Sequence, residues 1–220
     1  VTQIQETGVV ERGWLGVSIQ DVDRNLADSF GLDRPRGALI AQVGGDSPAE
    51  RAGLLSGDVI IQFDDEDIET SADLPHVVGL IAPGTRCEAV VIREGSEIAV
   101  EVEVGGLGAN QVARVGRGVV SDGSSTVLGM RIAPVDPKAL SELGLAGGVQ
   151  VVTIESQSPA AEAGVREGDI LARLGSRPIG RMRDVEDVQH ELIAGTSLPA
   201  RLIRAGSPLF IGIRVPTADD

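Results

Sequence analysis

The sequence predicts a mainly β protein with helices, of the α+β class. It is expected to form two tandem domains, each a small, partly open antiparallel β-barrel or sandwich of five to six strands capped by two to three helices. Three observations predict this. A stretch beginning at Asp46, D-S-P-A-E-R-A-G-L-L-S-G-D-V-I-I, returns from Gln157 as Q-S-P-A-A-E-A-G-V-R-E-G-D-I-L-A. The register holds at an offset of 111 residues for Ser47/Ser158, Pro48/Pro159, Ala52/Ala163, Gly53/Gly164, Gly57/Gly168, Asp58/Asp169, Gly84/Gly195, Arg93/Arg204 and Gly95/Gly206. A unit this long is a domain and not a solenoid repeat, whose units are shorter and lean on neighbours for their core. The 220 residues, 42% hydrophobic, suit two domains that each bury a core of their own. Within each unit, short apolar runs alternate with glycine and proline turn signals, as strands joined by tight connections do.

In the first domain, residues 17–20 and 37–43 read as strands, with a short helix over 25–30 between them. Ser47 offers an N-cap, Pro48 fits the first helical position, Glu50 completes a capping box and Gly53 suits a left-handed C-terminal cap. Gly57-Asp58 turns into a strand over 59–63, the acidic run 64–67 forms a hairpin or loop, and Ser71 caps a longer helix reaching Ala82, ended by Pro83-Gly84. Strands over 87–92 and 97–104 are joined by the hairpin turn Arg93-Glu94-Gly95-Ser96. The second domain repeats this order, with strands near 128–133, 149–154, 170–174, 198–203 and 209–215 and helices near 137–143, 159–163 and 184–194. The domains are expected over 11–104 and 126–216, with 1–10 a linker from a missing upstream domain, 105–125 a flexible glycine-rich linker and 217–220 a tail.

Charge narrows the partners. Net charge is −14, and residues 1–104 hold 20 acidic and 7 basic side chains against 12 and 10 in residues 126–220. An acidic first domain without clustered cations repels phosphate backbones and anionic bilayers, so neither nucleic acid nor a membrane surface is an expected partner. There is no run of 18 apolar residues and no cationic-then-apolar start, so neither membrane insertion nor a secretory signal is read from this stretch. The chain begins at Val1, which suits a piece of a longer protein. The single Cys87 lies in the alternation C-E-A-V-V-I and reads as a buried, inert thiol.

Catalytic signals are lacking. The two histidines, His76 and His190, do not correspond under the repeat and read as solvated helix positions. No H-E-x-x-H, Cys/His cluster, phosphate-binding glycine loop or G-x-S-x-G is found. The run 64–69 lacks the ligand spacing of a calcium loop and reads as a solvated loop. No catalytic residue, metal or cofactor is expected of this chain.

Several motifs carry a resemblance. The order of elements, the signature S-P-A-x-x-A-G-(x3)-G-D in both halves, and Arg12-Gly13-Trp14-Leu15-Gly16-Val17 look like PDZ domains of the bacterial, circularly permuted type. R-G-W-L-G-V followed by A-D-S-F-G-L, and A-D-L-P-H-V-V-G with P-G after it, resemble the two carboxy-terminal PDZ domains of HtrA/Do-like serine proteases of the DegP, DegQ and MucD type. Nearly the whole chain is covered. The protease domain, with its G-N-S-G-G segment, is absent from it.

The resemblance implies binding of the free carboxyl end of an extended apolar peptide, which adds a strand to an exposed sheet edge beside a helix. Consecutive amides of a glycine-containing loop make a concave anion nest for the terminal carboxylate. The matching loops are Trp14-Leu15-Gly16-Val17 and Val127-Leu128-Gly129-Met130. The residues pairing with the guest would be Ser18, Ile19 and Gln20 in the first domain and Arg131, Ile132 and Ala133 in the second. On the long helix, Leu74, Val78 and Ile81 suit the core, leaving Val77 and Leu80 toward the groove or, alternatively, in the core as well; the offset places Val188 and Glu191 there in the second domain. Arg12 supplements the first nest, and Trp14 either flanks the pocket or packs. The first domain is therefore expected to bind the more tightly.

By the same resemblance, the chain presents unfolded-protein carboxyl ends to an upstream protease domain in the periplasm, within a homo-oligomer that is a trimer or larger, in protein quality control and stress response. Two other readings stay open: a PDZ scaffold or secretion adaptor without a protease, and the PDZ pair of a membrane metalloprotease.

Overall fold

Strand alternation and turn chemistry build the first half. The computed structural model describes residues 12–106 and 125–217. In chain order the first stretch forms β1 (Gly13–Trp14), β2 (Val17–Asp21), α1 (Arg24–Phe30), β3 (Ala38–Val43), α2 (Pro48–Ala52), β4 (Val59–Phe63), β5 (Glu66–Asp67), α3 (Asp73–Leu80), β6 (Arg86–Arg93), β7 (Ser96–Glu103) and β8 (Gly105–Gly106). The second forms β9 (Ser125–Val127), β10 (Met130–Pro134), α4 (Pro137–Glu142), β11 (Val149–Ile154), α5 (Pro159–Glu162), β12 (Ile170–Leu174), β13 (Arg177–Pro178), α6 (Met182–Gln189), β14 (Ser197–Arg204) and β15 (Ser207–Arg214).

The first unit holds an open six-stranded antiparallel sheet, ordered β2-β3-β4-β6-β7 with β5 on β4, and a two-stranded sheet of β1 with β8. β2 ends the row. Its inner core draws on Ile40, Ile60, Phe63, Leu74 and Val78. α2 starts where Ser47 Oγ accepts the Glu50 amide at 3.1 Å and stops at Gly53, whose φ is 81°. The Glu50 carboxylate takes the Asp46 amide at 2.7 Å instead of closing the expected box on Ser47. Glu94 and Gly95, with φ of 51° and 78°, make the tight primed turn that the β6–β7 hairpin needs.

α3 begins later than Ser71 suggests. The Ser71 amide donates to Asp21 Oδ1 at 3.0 Å, and Asp73 reaches back to the Thr70 amide at 2.8 Å. α6 uses the same device: Asp184 accepts the amides of Gly180 and Arg181 at 2.8 and 3.0 Å. The amides hold both carboxyls below their ordinary range, Thr70 chiefly for Asp73 and Gly180 chiefly for Asp184.

The second unit holds an open seven-stranded antiparallel sheet, β15-β14-β12-β11-β10-β9 with β13 on β12. β9 and β13 are not among the five strands expected there. The predicted linker is thus shorter at both ends, since Gly105–Gly106 pairs with Gly13–Trp14 and Ser125 opens β9. Its remainder, like residues 1–10 and the end of the tail, lies outside the described residues. Residues 24–34 group by packing with this second unit. There the Phe30 ring meets Phe210 edge-on at 6.0 Å, and Ser29 Oγ donates to Ser197 Oγ at 2.9 Å.

Cys87, on β6, is buried in the core of the first unit. Burial, and secondarily the Asp64 carboxylate, pushes its thiol up to about 11 from an ordinary 9.0. The buried neutral thiol therefore supports the fold fully below pH 9, and that support is lost as pH rises from there through the folded value. Denaturant titrations of the wild type and Cys87→Ala should converge by on the order of 2–3 kcal/mol between pH 8 and pH 11. Parallel pH profiles for the two proteins would overturn this. The sequence has no tyrosine to confuse the measurement.

Candidate functional site

In the first unit the loop between β1 and β2 is pinned by its carbonyls. Leu15 O accepts the Ala49 amide at 3.0 Å and Gly16 O accepts the Gly44 amide at 2.8 Å, which ties the loop to the start of α2 and the end of β3. The Leu15 side chain is buried in the core. With both carbonyls engaged, the amides of Leu15 and Gly16 donate to no acceptor among the described residues. The Trp14 ring lies against Gly16, 2.9 Å from where a Cβ would stand, so Trp14 both packs and borders the loop. Arg12 is exposed just before β1.

β2 continues from that loop. Val17 and Ile19 pack on the core, Ser18 faces solvent, and all five residues from Val17 to Asp21 pair with β3 on one side. The other side carries no strand among the described residues. On α3, Leu74 and Val78 are buried as expected and Ile81 packs beside them, while Val77 is half-buried against the core and Leu80 is 77% exposed.

The second unit repeats the loop but not the edge. Gly16 and Gly129 correspond structurally: a Cβ at Gly16 would stand 2.4 Å from that of Ser47, and one at Gly129 2.1 Å from that of Ser158. Leu128 O and Gly129 O accept the amides of Ala160 and Glu155 at 3.2 and 2.9 Å, copying the first loop. Leu128 and Gly129 are, however, the turn of a β-hairpin. Arg131 and Ile132, expected with Ala133 to meet a guest backbone, stand opposite Thr126 and Ser125 of β9, and Met130 of the loop stands opposite Val127. Val188, expected in the groove, is 5% exposed and belongs to the core. The phase explains it. α3 buries Leu74 and Val78, four residues apart, whereas α6 buries Val185 and Val188, because Gln189 stands where the first helix has Val78. Glu191 lies beyond α6 and pairs with Arg177.

A polar pair that the sequence marked only as repeated proves structural. Asp58 is 1% exposed; Arg93 Nε and Nη2 donate to its two oxygens at 2.7 and 2.6 Å, and the Leu55 amide donates at 2.8 Å. Arg93 Nη2 also donates to Gly53 O at 2.9 Å, closing the end of α2. Asp169 and Arg204 repeat the arrangement at 2.8 and 2.7 Å, with the Arg166 amide in third place. The hydrogen bonds that Arg93 donates to Asp58 hold its guanidinium above its ordinary range. Among the described residues no cluster of His, Cys, Asp or Glu has the arrangement of a metal site, and no helix is long and apolar enough to cross a membrane.

Two open-sheet modules, each with a glycine loop stapled to a serine-capped short helix, define a tandem pair of small α+β domains. The model of the PDZ domain matches residues 13–104 and again 126–215, and the chain belongs to the PDZ domain family. A relative from Hahella chejuensis, named "Probable periplasmic serine endoprotease DegP-like", is 39% identical over 217 residues, covering 98% of this chain and 46% of that protein. One of the same name from Ectopseudomonas mendocina is 40% identical over 215 residues, with 97% and 45% covered. The chain thus spans about half the length of the curated relatives it matches. A solved structure titled "HtrA-type protease AlgW with decapeptide" is 37% identical, with a TM-score of 0.45, and matches 50% of this chain and 34% of that one.

Proposed function

We propose that the first module binds the free carboxyl end of an extended apolar peptide by strand addition to β2. The observation that carries this is the outer edge of β2, without a strand partner among the described residues and continuous with the unengaged amides of Leu15 and Gly16. The guest backbone would pair along Ser18, Ile19 and Gln20, its carboxylate at the two amides with Arg12 nearby, and its last side chain between Trp14, Val77 and Leu80. Binding would be weak, since a few ordered residues lose chain entropy on docking.

The relatives' names extend the proposal to the whole protein. The chain would be the substrate-recognition region of a periplasmic serine endopeptidase of the HtrA type, presenting unfolded-protein ends to a protease domain in a homo-oligomer, where tethering raises the effective affinity. Titration of this chain with a peptide ending in an apolar residue, and with the same peptide amidated, tests the site. Charge-assisted bonds to two amides predict an affinity loss of about 10- to 150-fold on amidation. Equal affinities would sink the carboxylate reading.

A further inference from the structure

The second module already contains a strand where the first has an open edge. β9 lies antiparallel to β10 with Val127 opposite Met130, Thr126 opposite Arg131 and Ser125 opposite Ile132. It runs toward the Leu128-Gly129 turn, the polarity that a peptide ending at that loop would have. α6 packs against both β9 and β10, so β9 shares the helix with the strand it pairs on. Val127, the last residue before the turn, is 1% exposed and sits in the core with Val185 and Val188 of α6. Its side chain stands where the terminal apolar side chain of a guest would go. The corresponding residues of the first module, Gly13 and Trp14, pair instead with Gly105 and Gly106, which leaves β2 uncovered.

The difference has a visible cause in the sequence. Trp14 carries a ring that lies over Gly16, and a glycine at position 13 packs its backbone against Val78 and Ile81, where a Cβ would be 2.1 Å from Val78 O. That close approach steers β1 onto α3 and away from β2. Ser125, Thr126 and Val127 include two β-branched residues and no glycine, so this segment can hold a ladder of its own.

We infer that Ser125–Val127 is a tethered internal ligand of the second module, filling the strand-accepting position on β10 so that this module takes an extended apolar peptide only when β9 is displaced. The identity of the excluded guest rests on the strand-addition reading of the first module; the place of β9 does not.

Two variants of the full chain test this. Thr126→Cys/Arg131→Cys joins opposed residues at a non-hydrogen-bonded position of the hairpin, where strands approach to about 4.5 Å between Cα atoms and a disulfide fits. Mild oxidation should close it nearly completely, with Cys87 staying reduced. Ser125→Pro/Thr126→Pro removes two amides from the segment without touching the buried Val127. Titrated with a fluorescent decapeptide ending in a free apolar residue, wild type and cross-linked protein should bind about one peptide per chain and the proline variant about two. Failure to cross-link, or a proline variant whose stoichiometry equals that of the wild type, overturns the inference. Binding of one peptide by the proline variant and none by the wild type would uphold it while sinking the first-module reading.

Discussion

Arg93→Met is expected to lower the stability of the first module by about 4 kcal/mol, because it strands a buried carboxylate with one neutral donor. Asp58 is fully enclosed, and its charge is offset by two guanidinium bonds and the Leu55 amide. The low-dielectric surroundings that make the pair cohesive make the unpaired charge costly. Contrast sets the scale: the Arg86–Glu101 pair, 3.5 Å long with both side chains largely exposed, should cost no more than about 0.5 kcal/mol when broken by Arg86→Met. Guanidinium denaturation followed by Trp14 fluorescence reads the first module selectively, since Trp14 is the sole tryptophan and borders its loop. The double variant Asp58→Leu/Arg93→Met should recover part of the loss by removing the stranded charge, leaving the Leu55 amide unpaired at a cost of about 1–3 kcal/mol. An Arg93→Met midpoint close to that of Arg86→Met would refute the assignment.

That pair also marks how far sequence reasoning reaches. Asp58 and Arg93 both recur at the 111-residue offset, yet their contact spans 35 positions and nothing local announces it. Local signals fared better. Ser47, Pro48 and Gly53 bound α2 through bonds within a few residues, and Glu94-Gly95 specify their turn by backbone conformation alone. Ser71 misled because its amide is taken by Asp21 Oδ1 and the helix entry is closed from within, where the Asp73 carboxylate reaches back to the Thr70 amide. The first-module loop was legible from Leu15-Gly16 and its twin, although the second loop sits two residues out of the main register. β9 was not. Three polar-to-apolar residues at the end of a glycine-rich stretch carry no periodicity, and their pairing on β10 is decided by the turn at Leu128-Gly129 and by the space beside α6. The groove assignment of Val188 failed for a related reason. Position in a repeat transfers the helix but not its rotation, which follows from whichever residues can fill the core.

Gly16→Ala should reduce affinity for a free-carboxyl peptide by more than about tenfold while the module stays folded, through two effects that act on the loop together. Gly16 has a φ of 79°, which costs an ordinary residue about 1–2 kcal/mol. Its new Cβ would also meet that of Ser47 at 2.4 Å and the Trp14 ring at 2.9 Å. Ser47 is wholly buried and caps α2, so it cannot retreat; the loop must give way, carrying its two amides off their aim. Gly45 offers the control: nothing lies within 4 Å of a Cβ there, and Gly45→Ala should leave binding within about twofold. Adding Ser47→Gly to Gly16→Ala separates the causes. It removes the closer clash at a capping cost of only a few tenths of a kcal/mol, so affinity should recover in part, with the φ strain and the Trp14 contact left. Wild-type affinity in a folded Gly16→Ala protein would mean that the peptide is held elsewhere than at the amides of this loop.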